Sequence, residues 1–256
     1  MSYLNISEGR YIRYLQIEGN KDMPHLIFLH EGLGCIEMWK DFPLKLCRQT
    51  GCPGLLYDRI GYGKSSPERE PRALDYVHNY ALKELPEVIV SLIANAPYIL
   101  VGHSDGSSIA LINGSKSNPL LKGIVTEAAH VFVEKETIRA IRNADKAYND
   151  DDPKGLSKYH GEKTHQMFKA WSETWLSHWF RDWNIESLLP GISCPVLGLQ
   201  GIYDEYGTNK QLDAIVSQVS GPARSYVIPH CGHTPHLEQP DLVLNLISEF
   251  IREVTS

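Results

Sequence analysis

The apolar run Tyr98–Val101 breaks at Gly102-His103-Ser104-Asp105-Gly106, and apolar residues resume at Ile109. A serine with glycines two positions away on either side suits a sharp turn from strand into helix. The two backbones pass close together there, and the hydroxyl is left projecting. Such a hydroxyl is a weak nucleophile until a base takes its proton, and a histidine base needs an acid to orient it. Downstream, "LQGIYDEYG" supplies Asp204, with Glu205 beside it and Glu134 further back as competing acids. "IPHCGHTPHLEQPD" supplies His233, with His230 and His236 as competitors. Those three histidines, with Cys231 among them, also suggest a metal cluster, but a fourth ligand and an open geometry are required of one. The helix that begins after Ser104 presents free N–H groups and a positive dipole end, where a negatively charged oxygen is stabilised. The chemistry these residue types suit is acyl transfer through a serine.

Elements at the right places must hold them. "HLIFLH" (25–30), "GLLYD" (54–58), "YILVGH" (98–103), "GIVTEAA" (123–129), "PVLGLQG" (195–201) and "RSYVIPH" (224–230) are apolar on both faces, as central strands are in a sheet covered on both sides. Leu4–Ile6 and Tyr11–Ile17 alternate like an antiparallel pair joined at Gly9–Arg10. Helical patterns fill 38–50, 76–93, 107–116, 208–219 and 241–253. Strand and helix in alternation predict right-handed crossovers and an α/β, doubly wound, mostly parallel sheet. Asp204 and His233 then fall just past strands, at the same sheet edge as Ser104, where open α/β sheets bind ligands.

The alternation fails between Glu134 and Leu189, a polar stretch rich in His and Trp with helical patterning. This predicts an inserted helical cap, residues 134–189, on a core made of 1–133 and 190–256. "NDDDPKG" (149–155) reads as a break between two of its helices. Trp171, Trp175, Trp179 and Trp183 recur every four residues and would form one stripe on a continuing helix, flanked by Phe168 and Phe180. The stripe either packs the cap onto the core or lends rings to a substrate pocket. Trp175 and Trp179 are the candidates for the second role.

Composition narrows the function classes. The formal charge is −6, with no basic footprint for nucleic acid. No run of about 18 apolar residues predicts a membrane span, and "MSYLNISEGR" lacks the pattern of a secretory signal. Five cysteines without a C-x-x-C argue against a disulfide framework and for a reducing cytoplasm. "EGLGCIE" and "DRIGYGKSS" fail as nucleotide-binding motifs, because the glycines required would fall at Glu37 and at Asp58.

Taken together, "FLHEGLG", "YDRIGYGKSS", "VGHSDGS" and "CGHTPHLEQPD" give the chain a full-length resemblance to α/β-hydrolase-fold serine hydrolases with a helical cap. The resemblance implies an eight-stranded, mostly parallel sheet with helices on both faces. It implies Ser104 as nucleophile, His233 as base and Asp204 as acid, without metal or cofactor. The oxyanion hole would use the N–H groups of Asp105 and Gly32. Serine at the elbow sets the chain apart from dehalogenases and epoxide hydrolases, which carry aspartate there. The missing elbow tryptophan and HGGPG-type loop argue against proline aminopeptidase activity.

One departure stands out: the family usually has His-Gly where this chain has His30-Glu31. Glu31 either points away or takes part in substrate choice. His130, ending a central strand at the active edge, either touches substrate or is structural. The expected activity is hydrolysis of a small-molecule carboxylic ester, lactone or thioester by a cytoplasmic monomer or homodimer, with no nucleic-acid or membrane partner. C–C bond hydrolysis by the same triad, or a ligand receptor with a vestigial triad, are the alternatives.

Overall fold

The computed structural model describes residues 2–148 and 155–256. Eight strands form one sheet: β1 (Ser2–Ile6), β2 (Arg10–Ile17), β3 (His25–Leu29), β4 (Gly54–Tyr57), β5 (Tyr98–His103), β6 (Leu121–Glu127), β7 (Val196–Gly201) and β8 (Ala223–Ile228). Their order is β1-β2-β4-β3-β5-β6-β7-β8. Only β2 runs against its neighbours; every pairing from β4 to β8 is parallel. β3, β5, β6 and β7 lie inside the sheet and their residues are almost all buried, as continuous apolar runs require. β8 departs from expectation. It is one of the two edge strands, and Tyr226 and Val227 are exposed on it.

Helices α1 (Phe42–Thr50), α2 (Tyr76–Asn79), α3 (Leu85–Leu92) and α4 (Asp105–Gly114) come from the first half of the chain. The single helix expected over 76–93 is interrupted by a π-turn at Tyr80–Glu84. Pro86 follows two residues after it; it has no N–H to give the preceding turn and its ring crowds the carbonyl four residues back. α5 (Lys135–Lys146), α6 (Ser157–His160) and α7 (Thr164–Leu176) lie between β6 and β7. α8 (Lys210–Gln218), α9 (Pro235–Glu238) and α10 (Pro240–Thr255) complete the chain. The break expected at 149–155 lies, apart from Gly155, outside the described residues.

The tryptophan stripe is shorter than its spacing suggests. α7 stops at Leu176, where Ser177 turns extended. The Ser177 hydroxyl donates to the Thr174 carbonyl at 2.6 Å and accepts the Phe180 N–H at 3.3 Å, replacing the helical pattern with a local one. Trp171 and Trp175 share the helix, whereas Trp179 and Trp183 follow it. Two apolar clusters flank the sheet. One, which includes Ile27, Leu100 and Ile112, extends without interruption into Ile141, Phe168, Trp171 and Trp175 of α5 and α7.

Candidate active site

Ser104 sits between β5 and α4 with φ 51° and ψ −117°, a conformation that ordinary side chains avoid. The surroundings impose it. Ser104 N–H donates to the Glu127 carbonyl at 2.8 Å, and the Ser107 hydroxyl ties the Gly102 and Glu127 carbonyls together at 2.7 and 2.9 Å. A Cβ on Gly102 would run into the Gly106 carbonyl, and one on Gly106 into that of Leu29. The two glycines are therefore what lets α4 lie so close to β5 and β3.

The distant residues converge here. His233 Nε2 is 3.0 Å from Ser104 Oγ. His233 Nδ1 is 2.8 and 2.9 Å from the two carboxylate oxygens of Asp204. The Asp204 carboxylate also accepts from the Tyr206 N–H at 2.8 Å and from Gln200 Nε2. Burial opposes its ionisation, but the charge and hydrogen bond of His233 and the Tyr206 amide outweigh burial, so its pKa lies below the ordinary value. The acid and base loops are joined directly: Tyr203 N–H donates to the Cys231 carbonyl at 2.8 Å.

The competing residues are placed elsewhere. Glu134 accepts from the Thr208 N–H at 2.8 Å, the Thr208 hydroxyl at 2.6 Å and Gln211 Nε2 at 2.8 Å. Glu205 is exposed at the edge of the cavity. His230 is exposed, and His236 is buried with Nδ1 2.9 Å from Glu127. The three histidines therefore do not converge on one point. Cys231 is buried, and that burial, with nearby carboxylates, pushes its thiol up to about 12.

Ser104 and His233 open onto a cavity of about 340 Å³. Gly32 and Asp105 border it on the serine side. Among the described residues, no protein acceptor takes the N–H of either. The Gly32 loop is fixed from behind by Arg59, which donates to the carbonyls of His30 and Glu31, the latter at 2.9 Å. His30 Nδ1 lies 2.8 Å from the same Glu31 carbonyl. A Cβ on Gly32 would stand 2.7 Å from the Trp171 indole, so only hydrogen fits between that ring and the loop. Asp105 turns its carboxylate toward the Tyr76 hydroxyl, which donates to it at 3.2 Å and itself accepts Trp175 Nε1–H at 3.0 Å. Burial raises the Asp105 pKa in spite of Arg59 and Arg72.

Of the substrate-contact candidates, Glu31, His130 and Trp175 border this cavity. His130 packs against Trp175 with ring planes inclined by 60° and centroids 5.2 Å apart, and its pKa falls to about 4, through burial and then the charge of His233. Trp179 is a correction. It is 41% exposed, lies on outer grooves with Glu173 and Asp182, and does not border the Ser104 cavity, because α7 ends three residues before it. The sequence reading did not single out Tyr206, whose ring is 4.6 Å from His233, or Gln200 beneath Asp204. A lone glutamine in the apolar run "PVLGLQG" was the visible signal for the latter. Trp171, a member of the stripe by its spacing, also borders the cavity.

Comparison with known proteins agrees on the architecture. The model of the alpha/beta hydrolase family matches residues 26–246. A proline iminopeptidase of Saccharolobus solfataricus is 23% identical over 300 aligned positions, covering 99% of this chain and 94% of that protein. The structure of a thermophilic esterase from Thermogutta terrifontis superposes with a TM-score of 0.75 at 20% identity, covering 100% of this chain and 99% of the other. The enol-lactonase of Burkholderia xenovorans LB400 gives a TM-score of 0.75 at 15% identity, covering 98% and 100%.

Proposed function

The chain belongs to the alpha/beta hydrolase family, and from that premise we propose that it cleaves a small carboxylic ester, lactone or thioester through an acyl-enzyme on Ser104. The observation that carries this reading is the unbroken contact from Ser104 Oγ to His233 to Asp204, at 3.0 and 2.8 Å, opening on a cavity of about 340 Å³. In the proposed reaction Ser104 Oγ attacks the substrate carbonyl carbon while His233 Nε2 takes its proton. Asp204 keeps the other imidazole proton on Nδ1 and stabilises the imidazolium. The Gly32 and Asp105 amides stabilise the tetrahedral oxyanion; removing one such donor typically raises the barrier by about 3 kcal/mol. The leaving oxygen or sulfur departs with the proton held by His233. Water then gives a proton to His233, attacks the acyl carbon and releases the acid, and Ser104 recovers its proton.

The cavity wall argues for an apolar acyl or alkyl group. Leu33, Met38, Ile141, Leu156, Trp171 and Trp175 contribute to it, and among the described residues no lysine or arginine does. Its volume is at the small end of the range for ligand pockets. In this reading residues 134–189 act as the cap that supplies the aromatic part of the wall. Relatives named proline iminopeptidase make a prolyl amide the competing substrate. The sequence His30-Glu31-Gly32-Leu33-Gly34 in place of an HGGPG loop favours the ester.

The test is labelling by a fluorophosphonate followed by a panel of p-nitrophenyl esters and L-proline p-nitroanilide. Labelling confined to Ser104, lost in Ser104→Ala, with turnover of short neutral esters, is the expected result. A folded protein that resists the probe would defeat the serine mechanism and leave a ligand receptor. Turnover of the prolyl amide alone would move the substrate class to amides.

A further inference from the structure

His103, the residue before Ser104, is buried, and its two ring nitrogens face two acceptors. Nε2 is 2.7 Å from the backbone carbonyl oxygen of His233. Nδ1 is 3.4 Å from a carboxylate oxygen of Glu31. A carbonyl oxygen can only accept, so Nε2 must carry a proton. Nδ1 makes no hydrogen bond among the described residues, but it lies within ion-pair distance of the Glu31 carboxylate, whose negative charge favours a proton there. A proton on Nε2 for the His233 carbonyl and a carboxylate 3.4 Å from Nδ1 together favour an imidazolium paired with a carboxylate.

The partners belong to three segments that the chemistry needs in register. Glu31 immediately precedes Gly32, His103 immediately precedes Ser104, and the third partner is the backbone of His233 itself. Glu31 has little freedom. Its carbonyl is held by Arg59 and His30, and it also accepts the Gly34 N–H at 3.1 Å. Its carboxylate fills the space that a Cβ on Gly34 would need.

We propose that Glu31 and His103 form a positioning pair that holds the Gly32 amide and the His233 ring in register around Ser104. This rests on the triad reading above. It also accounts for the one departure of this chain from the usual His-Gly at the oxyanion loop. A glycine there would deprive the elbow histidine of the carboxylate that stands 3.4 Å from it.

Other groups face His103. Glu127 adds negative charge from the end of β6, while His233, His236 and His130 stand on the other sides, the first two with ring centroids 5.3 and 5.1 Å away. Trp39 closes the remaining face at 6.3 Å. Burial disfavours the His103 charge, but Glu31 and then Glu127 override it and raise its pKa to about 9. Glu31 moves in the opposite direction: His103 holds its carboxyl well below the ordinary range despite burial. The pair therefore stays ionised through neutral pH and is lost when His103 gives up its proton in alkali.

Two measurements test this. The first is the ¹⁵N spectrum of the His103 ring in the wild-type protein at neutral pH. Two protonated nitrogens are expected; a single protonated nitrogen overturns the proposal, whatever becomes of any variant. The second is the rate of fluorophosphonate labelling of Ser104 from about pH 6 to about pH 10.5 in wild type, Glu31→Gln, Glu31→Asp and His103→Gln. Wild type should lose rate through an alkaline limb near 9. Glu31→Gln should label about tenfold more slowly at neutral pH, a barrier increase of about 1.4 kcal/mol, with its alkaline limb moved toward neutrality. Glu31→Asp should recover part of the loss. His103→Gln keeps a donor for the His233 carbonyl but cannot titrate, so its alkaline limb should disappear. A Glu31→Gln protein with the wild-type rate and profile would sink the pair while leaving the triad standing. Absence of labelling in wild type would sink the triad reading instead, with the ring spectrum still deciding the ionisation of the pair.

Discussion

Both carboxylate oxygens of Asp204 lie within hydrogen-bond reach of His233 Nδ1, and each oxygen has a second donor as well, the Tyr206 amide for one and Gln200 for the other. Asp204→Asn would place an NH₂ among donors. The arrangement that satisfies it turns that NH₂ toward Nδ1 and leaves the proton on Nε2, the wrong tautomer for accepting one from Ser104. Ester turnover should fall by as much as about 10⁴, with KM little changed. Steady-state kinetics on the best p-nitrophenyl ester check this, and a loss under tenfold would show that Asp204 is not what orients the imidazole.

The elbow stores backbone strain that should be recoverable. Ser104 at φ 51° and ψ −117° occupies a region that costs side-chain-bearing residues about 1–3 kcal/mol. Ser104→Gly should abolish labelling yet raise the thermal midpoint, at about 2–4 °C per kcal/mol for a chain of this size. Ser104→Ala should give no such gain. Gly106→Ala, whose new methyl would meet the Leu29 carbonyl, should destabilise strongly. Calorimetry on the three variants decides, and an unchanged or lowered midpoint in Ser104→Gly would remove the strain argument.

Glu84 supplies a pH dependence away from the site. It is buried, one of its oxygens accepts the Ile60 N–H at 3.0 Å, and burial raises its pKa from 4.5 to about 8. The folded state therefore holds a proton that the unfolded chain releases. That contribution to stability is fully present below the unfolded value and is lost as pH rises through about 8. Glu84→Gln is neutral at every pH, so its thermal midpoint should gain on wild type between pH 5 and pH 8.5, by about 2–4 °C for each kcal/mol recovered. A difference between the two proteins that does not change with pH would count against a protonated Glu84.

The cavity predicts chain-length selection. Ile141 is buried and borders the cavity of about 340 Å³. Ile141→Trp should raise KM for hexanoyl esters about tenfold and leave acetyl esters within about twofold, since lost contact of this size is worth about 1–3 kcal/mol. Equal effects on both acyl lengths would mean that the acyl chain lies elsewhere.

Much of this was legible before any coordinates. Strands apolar on both faces announce a covered sheet, and a G-x-S-x-G between strand and helix announces a tight turn, because both follow from local sterics and burial. What escaped the sequence depends on contacts between remote segments. Trp179 shares the spacing of Trp171 and Trp175, but the hydroxyl of Ser177 ends the helix and leaves that ring in solvent. β8 ends the order of strands, and its Tyr226 and Val227 are exposed although "YVI" reads like a buried run. The ion pair of Glu31 with His103 joins residues 72 positions apart, and neither residue names the other in the sequence.

The apolar cluster running from Ile27 and Leu100 into Phe168, Trp171 and Trp175 bears on how molecules reach Ser104. Swinging α5 and α7 away as one body would wet several large side chains at about 1.5–3 kcal/mol each. We therefore expect α5 and α7 to stay seated while substrate enters, rather than to swing as a lid. Amide hydrogens of α7 that exchange as slowly as those of β5 would be the mark of such a fixed roof, and fast exchange confined to α7 would be the mark of a hinge.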